Sequence, residues 1–216
     1  MKVLAIDTTS DRGSLALLDE SHVFEEVVVE SVDGFSTILF GEIEALIARH
    51  GLSLSQIDAF AAASGPGSFT GVRVGLTAAK GLAEALGKQA LGISNLQALA
   101  TFSRGELRAT VIDARRGQVY GAVYNSRLAP VLEETVIKLD EWLASLPAGD
   151  LEILSRNLVL PEDVRRRVTL IAQPLAAAMG RIALGRIQAG EISLPEHLDA
   201  NYVRQSDAEL FWLDSK

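Results

Sequence analysis

Apolar and polar residues follow the same pattern in two separate stretches of the chain. Each stretch reads as an apolar strand that ends in Ile-Asp, a short polar turn closed by glycine, and a second, alternating strand. The first stretch covers residues 3–18 and the second covers residues 110–124, so that Asp7 aligns with Asp113. Glycine adopts the conformations of tight hairpin turns at no steric cost, and we therefore predict two β-hairpins that belong to an internal repeat.

Strand and helix patterns alternate after each hairpin. After the first, we predict strands at 22–30, 57–63 and 89–93 and helices at 36–50, 70–86 and 95–102. After the second, we predict strands at 131–139, 151–154 and 168–172 and helical segments at 140–146, 161–167 and 174–189. Three strands followed by alternating helices and strands make a ribonuclease-H-like lobe. The α/β class follows from the alternation itself.

Two such lobes in tandem form the actin, Hsp70 and sugar-kinase (ASKHA-type) architecture, which is our predicted fold. The predicted N-terminal lobe covers residues 1–103. A smaller C-terminal lobe covers 104–216, with residues 195–216 as a tail able to pack back on the first lobe. The alternative is one continuous, doubly wound sheet.

Two predicted helices carry a face of small residues besides the apolar face that each needs for its own sheet. Glycine inside a helix costs about 1 kcal/mol relative to alanine, so Gly81 calls for a reason such as the close approach of another helix. These small faces comprise Ile38, Gly41, Ala45 and Ala48 on the first helix, and Gly71, Val74, Ala78, Gly81 and Ala85 on the second. We predict that they form an interface with a second chain, burying at least about 1,000 Å² in total. The alternative is that the two faces pack on each other.

The first of these helices also has a predicted core face and a predicted N-terminal cap. Ser36 is the expected cap, with Phe35 packing against Phe40 around it. The core face would comprise Leu39, Phe40, Ile43, Leu46 and Ile47.

Composition narrows the classes of function. The 216 residues include no cysteine, which excludes disulfides, thiolate metal sites and cysteine nucleophiles and fits a reducing compartment. The formal charge of −8 argues against direct binding of nucleic acid. The basic run 165–167 is expected to be a solvated helix face. We see no signal peptide and no apolar run of membrane-spanning length, so we expect a cytoplasmic protein without membrane contact.

Two loops contain residue types that can bind phosphate. The first, Asp7, Thr8, Thr9 and Ser10, follows the first strand, where actin-like ATPases present amides, hydroxyls and a metal-binding carboxylate. The second follows an apolar strand and opens a helix, and its candidate residues are Gly65, Gly67, Ser68 and Thr70. It lacks the lysine of a Walker A loop and the glycine spacing of a dinucleotide fingerprint. The alternatives are a locally bonded polar turn and a capped helix start.

The second half offers Asp113 as the counterpart of Asp7, beside two arginines that could pair with it. The three histidines are dispersed and no spacing indicates a helical metal site or a catalytic triad. An actin-like ATPase or small-molecule kinase using Asp7, Thr9, Gly67 and Asp113 is one functional hypothesis. The second half of the sequence shows no glycine-rich loop of the kind that binds adenosine in actin-like kinases, which weakens this hypothesis. A docking subunit is the other hypothesis.

Several motifs resemble the TsaB (YeaZ) family. The similarity covers residues 1–124 well and is weak over 126–195. The motifs are Leu4–Thr9, the helix that starts at Ser36, Gly65–Gly75, Ala79–Ala83, Asp113–Tyr120 and, near the end, Asn201–Arg204. The resemblance implies an actin-like fold without catalytic activity, metal or cofactor of its own. Weak binding of ATP or ADP at the partner interface is also expected.

The resemblance also implies partners. Family members form a heterodimer with a TsaD-like catalytic subunit, and a homodimer when alone, through the first two helices of the N-terminal lobe. With a TsaE-like ATPase, the complex transfers threonylcarbamoyl to N6 of adenosine 37 in tRNAs that read codons beginning with A. Contact of this chain with tRNA is expected to be indirect. This chain has Phe35 where the family usually has histidine, which favours a more hydrophobic interface.

Overall fold

The computed structural model describes residues 1–31, 33–156, 158, 162 and 168–201, and they form two five-stranded sheets. The first sheet has the order β3-β2-β1-β4-β5 and the second the order β10-β9-β6-β7-β8. Counted from the first strand of each lobe, the two orders are the same, so the predicted tandem ribonuclease-H-like fold is confirmed. The strands are β1 Lys2–Asp7, β2 Arg12–Asp19, β3 Val23–Glu30, β4 Ala59–Gly65, β5 Gln89–Ser94, β6 Leu107–Asp113, β7 Gln118–Asn125, β8 Pro130–Lys138, β9 Leu151–Arg156 and β10 Val168–Leu170.

The central strand β1 places the candidate loops next to each other. It pairs antiparallel with β2 and parallel with β4, and its apolar residues are buried. Parallel strands end at the same edge of a sheet, so the loop after Asp7 lies beside the loop after Gly65. In the second sheet β6 and β9 are also parallel, and Ile112 lies opposite Arg156.

Five helices cover the sheets within the described residues. They are α1 Leu39–Arg49, α2 Phe69–Leu86, α3 Asn95–Ala100, α4 Leu139–Ser145 and α5 Ala176–Gln188. Apolar residues of α1 and α2 share a core with Leu4, Ile6, Leu15 and Leu17 on one face of the first sheet. On the other face, α3 and α5 pack against alternate residues of the same strands, including Val3, Ala5 and Leu18.

The start of α1 differs from the prediction. Ser36 lies in a 3₁₀ turn, Phe35–Thr37, and α1 begins at Leu39 without a side-chain cap. Phe35 is buried against the first hairpin, where its ring is so close to Gly13 that a Cβ there would lie 2.8 Å from Phe35 Cζ. Phe40 is 57% exposed. Three predictions are therefore wrong: the Ser36 cap, the packing of Phe35 on Phe40 and the core position of Phe40. The reason is that the Phe35 ring packs against the first hairpin instead.

The last described helix packs on the first sheet, although it lies within the range 104–216 that was predicted as the second lobe. Two side chains of the first sheet bind the N-terminus of α5. The Ala176 amide donates to Ser14 Oγ over 3.2 Å, and the Ala177 amide donates to Glu26 Oε1 over 2.7 Å. The apolar face of α5, including Met179 and Ala183, is buried in the core of that sheet.

The chain then continues along the first lobe. A 3₁₀ turn, Pro195–His197, lies against α2 and β5, and Leu198 is buried in the core beneath α1 and α2. The Asn201 amide donates to the Ser64 carbonyl over 2.8 Å. The rest of the predicted tail, 202–216, and the basic run 165–167 lie outside the described residues, as does the predicted helical turn 161–167 apart from Glu162.

No helix in the described part of the chain is both long enough and apolar enough to cross a membrane.

Candidate functional site

The small faces of α1 and α2 are largely on the surface. Their exposed members are Gly41, Ala45 and Ala48 on α1 and Gly81 and Ala85 on α2. Ile38 and Val74 are half-buried, whereas Gly71 and Ala78 are buried within the chain. Since most of these residues remain exposed, the two faces do not pack against each other. The N-terminal half of the α2 face instead serves the lobe's own packing.

Two glycines on these faces have no structural reason within the lobe. A Cβ built on Gly41 or on Gly81 would meet none of the described atoms within 4 Å. Glycine inside an exposed helix costs about 0.5–1 kcal/mol relative to alanine. The described fold therefore gains nothing from the missing Cβ at either position, and close approach by another surface would explain it.

An apolar groove of about 430 Å³ opens between the first turns of α1 and the first half of α2. Phe40 and Phe69 are among its lining residues, and they are 57% and 43% exposed. The Arg73 guanidinium lies 3.7 Å from the centroid of the Phe69 ring, which places a cation at the edge of the groove. The other lining residues are Ser36, Leu39, Thr70, Val74, Thr77 and Ala78.

Neither aromatic ring was predicted to lie on the surface. The helical pattern places Phe40 next to the apolar stripe of α1 and so predicts a core position, whereas Phe69 falls within the motif Gly65–Gly75 without a predicted role. Helical periodicity gives the angle of a side chain but does not show where the neighbouring helix ends. The groove therefore could not be predicted from the pattern.

The candidate phosphate loop after β1 is closed by its own side chains. Asp7 is fully buried, and its Oδ1 accepts hydrogen bonds from the Thr9 amide at 3.0 Å and the Thr9 hydroxyl at 2.6 Å. The Asn95 amide group donates to Thr9 Oγ1 over 2.7 Å. The Thr8 hydroxyl donates to the Gly71 carbonyl over 2.7 Å. Ser10 bonds the Arg12 carbonyl of the same turn.

The second candidate loop, residues 65–70 and called the glycine-rich loop below, packs tightly on this turn. A Cβ on Gly67 would lie 2.6 Å from Thr9 Cβ, and one on Gly71 would overlap the Thr8 carbonyl oxygen. Ser68 caps α2 by accepting from the Gly71 amide over 3.3 Å, and Thr70 is exposed at the groove. Gly65 has a φ of 104°, which suits glycine. The glycines thus allow the two loops to pack against each other. Together with the Ser68 cap, this packing explains the motif without a bound phosphate.

The counterpart loop in the second lobe does not join this cluster through Asp113. Asp113 is exposed, and its Oδ1 accepts from the Arg115 amide over 2.7 Å in a local turn. The residue that reaches Asp7 from the second lobe is Arg156, whose Nη1 lies 3.7 Å from Asp7 Oδ2. Arg156 and Asn95 were not among the predicted site residues. The predicted fold makes β9 parallel to β6, which indicates the sheet edge at which Arg156 lies but not its contact with Asp7.

The residues around Asp7 do not fit the metal and nucleotide that an actin-like fold implies. One carboxylate oxygen is bonded by Thr9, the other faces a guanidinium, and Gly67 and Gly71 leave no gap above Thr8 and Thr9. Within the described ranges, His, Asp and Glu side chains form no group of three that could hold a metal ion.

Comparisons with known proteins place these features in a family context. Residues 30–170 match the family model of TsaD, tRNA N6-adenosine threonylcarbamoyltransferase. The whole chain is 30% identical to the tRNA threonylcarbamoyladenosine biosynthesis protein TsaB of Bacillus subtilis, covering 100% of each. It is 37% identical to TsaB of Escherichia coli over 57% of this chain and 55% of that protein.

A solved structure agrees with the fold. A Pseudomonas aeruginosa protein, described as similar to the peptidase YeaZ, superposes with a TM-score of 0.79 and 26% identity, covering 94% of this chain and 99% of that one.

Proposed function

The chain belongs to the TsaB family, and on this premise we propose that it acts in tRNA threonylcarbamoyladenosine biosynthesis by docking a TsaD-like catalytic subunit. The docking surface comprises the exposed small residues of α1 and α2 together with the groove between them. In this proposal the chain contributes binding energy that favours the active conformation of its partner, and it performs no chemical step itself.

The groove between α1 and α2 is the observation that carries the proposal. Exposed aromatic rings at a concave surface are typical anchors of protein interfaces. Phe40 and Phe69 supply such rings, while Gly41 and Gly81 allow a partner helix to approach closely. The match to the TsaD model supports a partner of the same fold, because two related lobes can present related helix pairs to each other.

The enclosed loop around Asp7 supports a role without catalysis. A phosphotransferase of this fold would need Asp7 open to a metal ion, and here Thr9 and Arg156 face its two oxygens. Calorimetry with Mg-ATP on the isolated chain tests the competing ATPase hypothesis, for which we expect no turnover. Weak ATP or ADP binding at the partner interface remains part of the proposal.

Substitutions that fill the small faces test the docking surface. We expect Gly81→Leu and Ala45→Glu each to weaken association with the TsaD-like subunit by at least about tenfold, because close packing at interfaces tolerates neither bulk nor an unpaired charge. The measurement is co-purification followed by light scattering and titration calorimetry. Circular dichroism should show unchanged folding, since both positions are exposed.

Gly185→Leu is the matched control. Gly185 is also an exposed glycine in a helix, α5, and a Cβ there would meet no described atom within 4 Å. It lies away from the docking surface, so association should be unchanged. Equal loss of association in Gly185→Leu, or unchanged association in Gly81→Leu and Ala45→Glu, would contradict the proposal.

The remaining partners are extensions of this proposal. We expect a homodimer through the same surface when the TsaD-like subunit is absent, so the docking substitutions should also shift the isolated chain towards the monomer. We expect a TsaE-like ATPase to join the complex and tRNA to contact this chain only indirectly. We infer that the assembly works in the cytoplasm, where tRNAs are modified and used.

A further inference from the structure

Asp7 presents an unsatisfied oxygen to the junction of the two lobes. The side chain is fully buried, and its Oδ2 accepts no hydrogen bond from any residue that the structure describes. The cation facing this oxygen is the Arg156 guanidinium at 3.7 Å, and the Arg156 side chain is 14% exposed. Asp7 ends β1 of the first lobe and Arg156 ends β9 of the second. The pair therefore spans the junction.

Two neighbouring side chains, Asn95 and Glu26, also carry oxygens. Asn95, which bonds Thr9, has a buried Oδ1 that accepts no hydrogen bond within the described part of the chain. Glu26 is half-buried and interacts electrostatically with both Asp7 and Arg156. Carboxylate and amide oxygens are the ligands that Mg²⁺ and Ca²⁺ prefer. Without Arg156, the fully buried Asp7 carboxylate would lose the guanidinium that faces its Oδ2.

We propose that Arg156 is a resident cation, which occupies the position of a metal ion at the end of β1 and links the two lobes through the chain's own charge. The inference concerns the lobe junction and does not depend on the docking surface. Burying one charge without a partner is much more costly than burying the pair. Arg156 thus compensates the charge of Asp7, the carboxylate of the repeat's first Ile-Asp. The buried carboxylate can therefore be retained without a bound metal.

The proposal predicts that removing Arg156 creates a metal dependence. We expect Arg156→Gln to bind Mn²⁺ at least about tenfold more tightly than the unsubstituted chain, measured by electron paramagnetic resonance and by calorimetry. We also expect Mn²⁺ or Mg²⁺ to raise the melting temperature of this variant alone. The Asp7→Asn/Arg156→Gln double variant should lose this binding, because the anchoring carboxylate is gone.

Urea unfolding of the same variants gives an independent measurement. Asp7→Asn and Arg156→Gln should each lower the unfolding midpoint, because each leaves one charge of the pair without its partner. The double variant removes both charges and should therefore recover part of the loss. If Arg156→Gln does not fold, Arg156→Lys retains the charge, and its midpoint should exceed that of Asp7→Asn.

Three results would overturn the proposal. They are additive losses in the double variant, absence of Asp7-dependent Mn²⁺ binding in folded Arg156→Gln, and Mn²⁺ binding by the unsubstituted chain that Asp7→Asn abolishes. Association with the TsaD-like subunit is tested by other residues, so failure of this inference leaves the docking proposal separately testable.

Discussion

Gly71 and Gly81 occupy the same face of α2 and yet have opposite environments. A Cβ at Gly71 would overlap the Thr8 carbonyl oxygen, whereas a Cβ at Gly81 would meet nothing in the described structure within 4 Å. Helical periodicity cannot separate the two residues, because Thr8 lies 63 positions from Gly71 in the sequence. The sequence therefore predicted a single small face, and the structure divides it into an internal part and an exposed part.

Alanine substitutions should reveal this division as effects of opposite sign. We expect Gly71→Ala to lower the free energy of unfolding by about 1–3 kcal/mol, because the Thr8 turn must move to make room. Gly81→Ala should raise the free energy of unfolding by about 0.5–1 kcal/mol, through the higher helix propensity of alanine. Urea unfolding of the isolated chain measures both, and changes of the same sign would contradict this account.

At the scale of elements, strands were easier to predict than helix ends. The repeated hairpins follow from local alternation and from glycines at the turns, and both sheets form as that pattern indicated. The starts of α1 and α5 depend on distant groups instead. Phe35 is held by the first hairpin, and α5 is bonded by Ser14 and Glu26 from the first sheet. No local pattern around residue 176 indicates those two partners.

In the candidate site, too, only the features that depend on local sequence could be predicted. Exposure of Gly41, Ala45 and Gly81 followed from counting faces around each helix, since one apolar stripe satisfies the sheet. The aromatic rings of the groove and the approach of Arg156 to Asp7 depend on how separate elements are placed. These features required the three-dimensional arrangement.

Burial of the Glu26 carboxyl at the start of α5 should make stability depend on pH. Burial raises the pKa of the Glu26 carboxyl above its ordinary value of 4.5, and the nearby Asp7 acts in the same direction. The unfolded chain therefore ionises Glu26 at a lower pH than the folded chain does. The protonated Glu26 carboxyl therefore contributes to the free energy of unfolding at pH below 4.5. This contribution is lost as pH rises from 4.5 through the raised pKa of the folded chain.

Glu26→Gln provides the comparison, because glutamine cannot ionise and its carbonyl can still accept from the Ala177 amide. We expect the free energy of unfolding of the variant, minus that of the unsubstituted chain, to increase between pH 4 and pH 7. Urea unfolding at both values measures this change. A difference that stays constant with pH would show that Glu26 ionises equally in the folded and unfolded states.

At the scale of the whole molecule, the two lobes share packing and bonds. Leu154 and Ile171 lie in one apolar cluster with α5 and the first sheet. The Tyr124 hydroxyl donates to Glu134 over 2.7 Å, and the Asn201 amide group donates to the same carboxylate over 2.7 Å. Burial, together with the neighbouring Glu134, raises the pKa of Tyr124. The segment that follows α5 thus connects the second sheet to the glycine-rich loop of the first lobe.

This connection predicts that the lobes unfold together when the segment is weakened. Leu198 is 8% exposed in the core beneath α2, so Leu198→Ala should lower the free energy of unfolding by about 2–5 kcal/mol. Leu194 precedes it and is 46% exposed, so Leu194→Ala should change the value by no more than about 0.5 kcal/mol. Urea unfolding followed by circular dichroism measures both variants.

Fluorescence can report on the second lobe separately. The chain has two tryptophans, and Trp142 is fully buried in the core of the second sheet. In a Trp212→Phe background, the emission therefore comes from Trp142 alone. If the shared cluster and the Glu134 bonds join the lobes into one cooperative unit, Leu198→Ala should move the fluorescence midpoint as far as the dichroism midpoint. A fluorescence midpoint that stays in place would mean that the second lobe unfolds independently, and that the contacts through α5 and Asn201 do not couple the lobes.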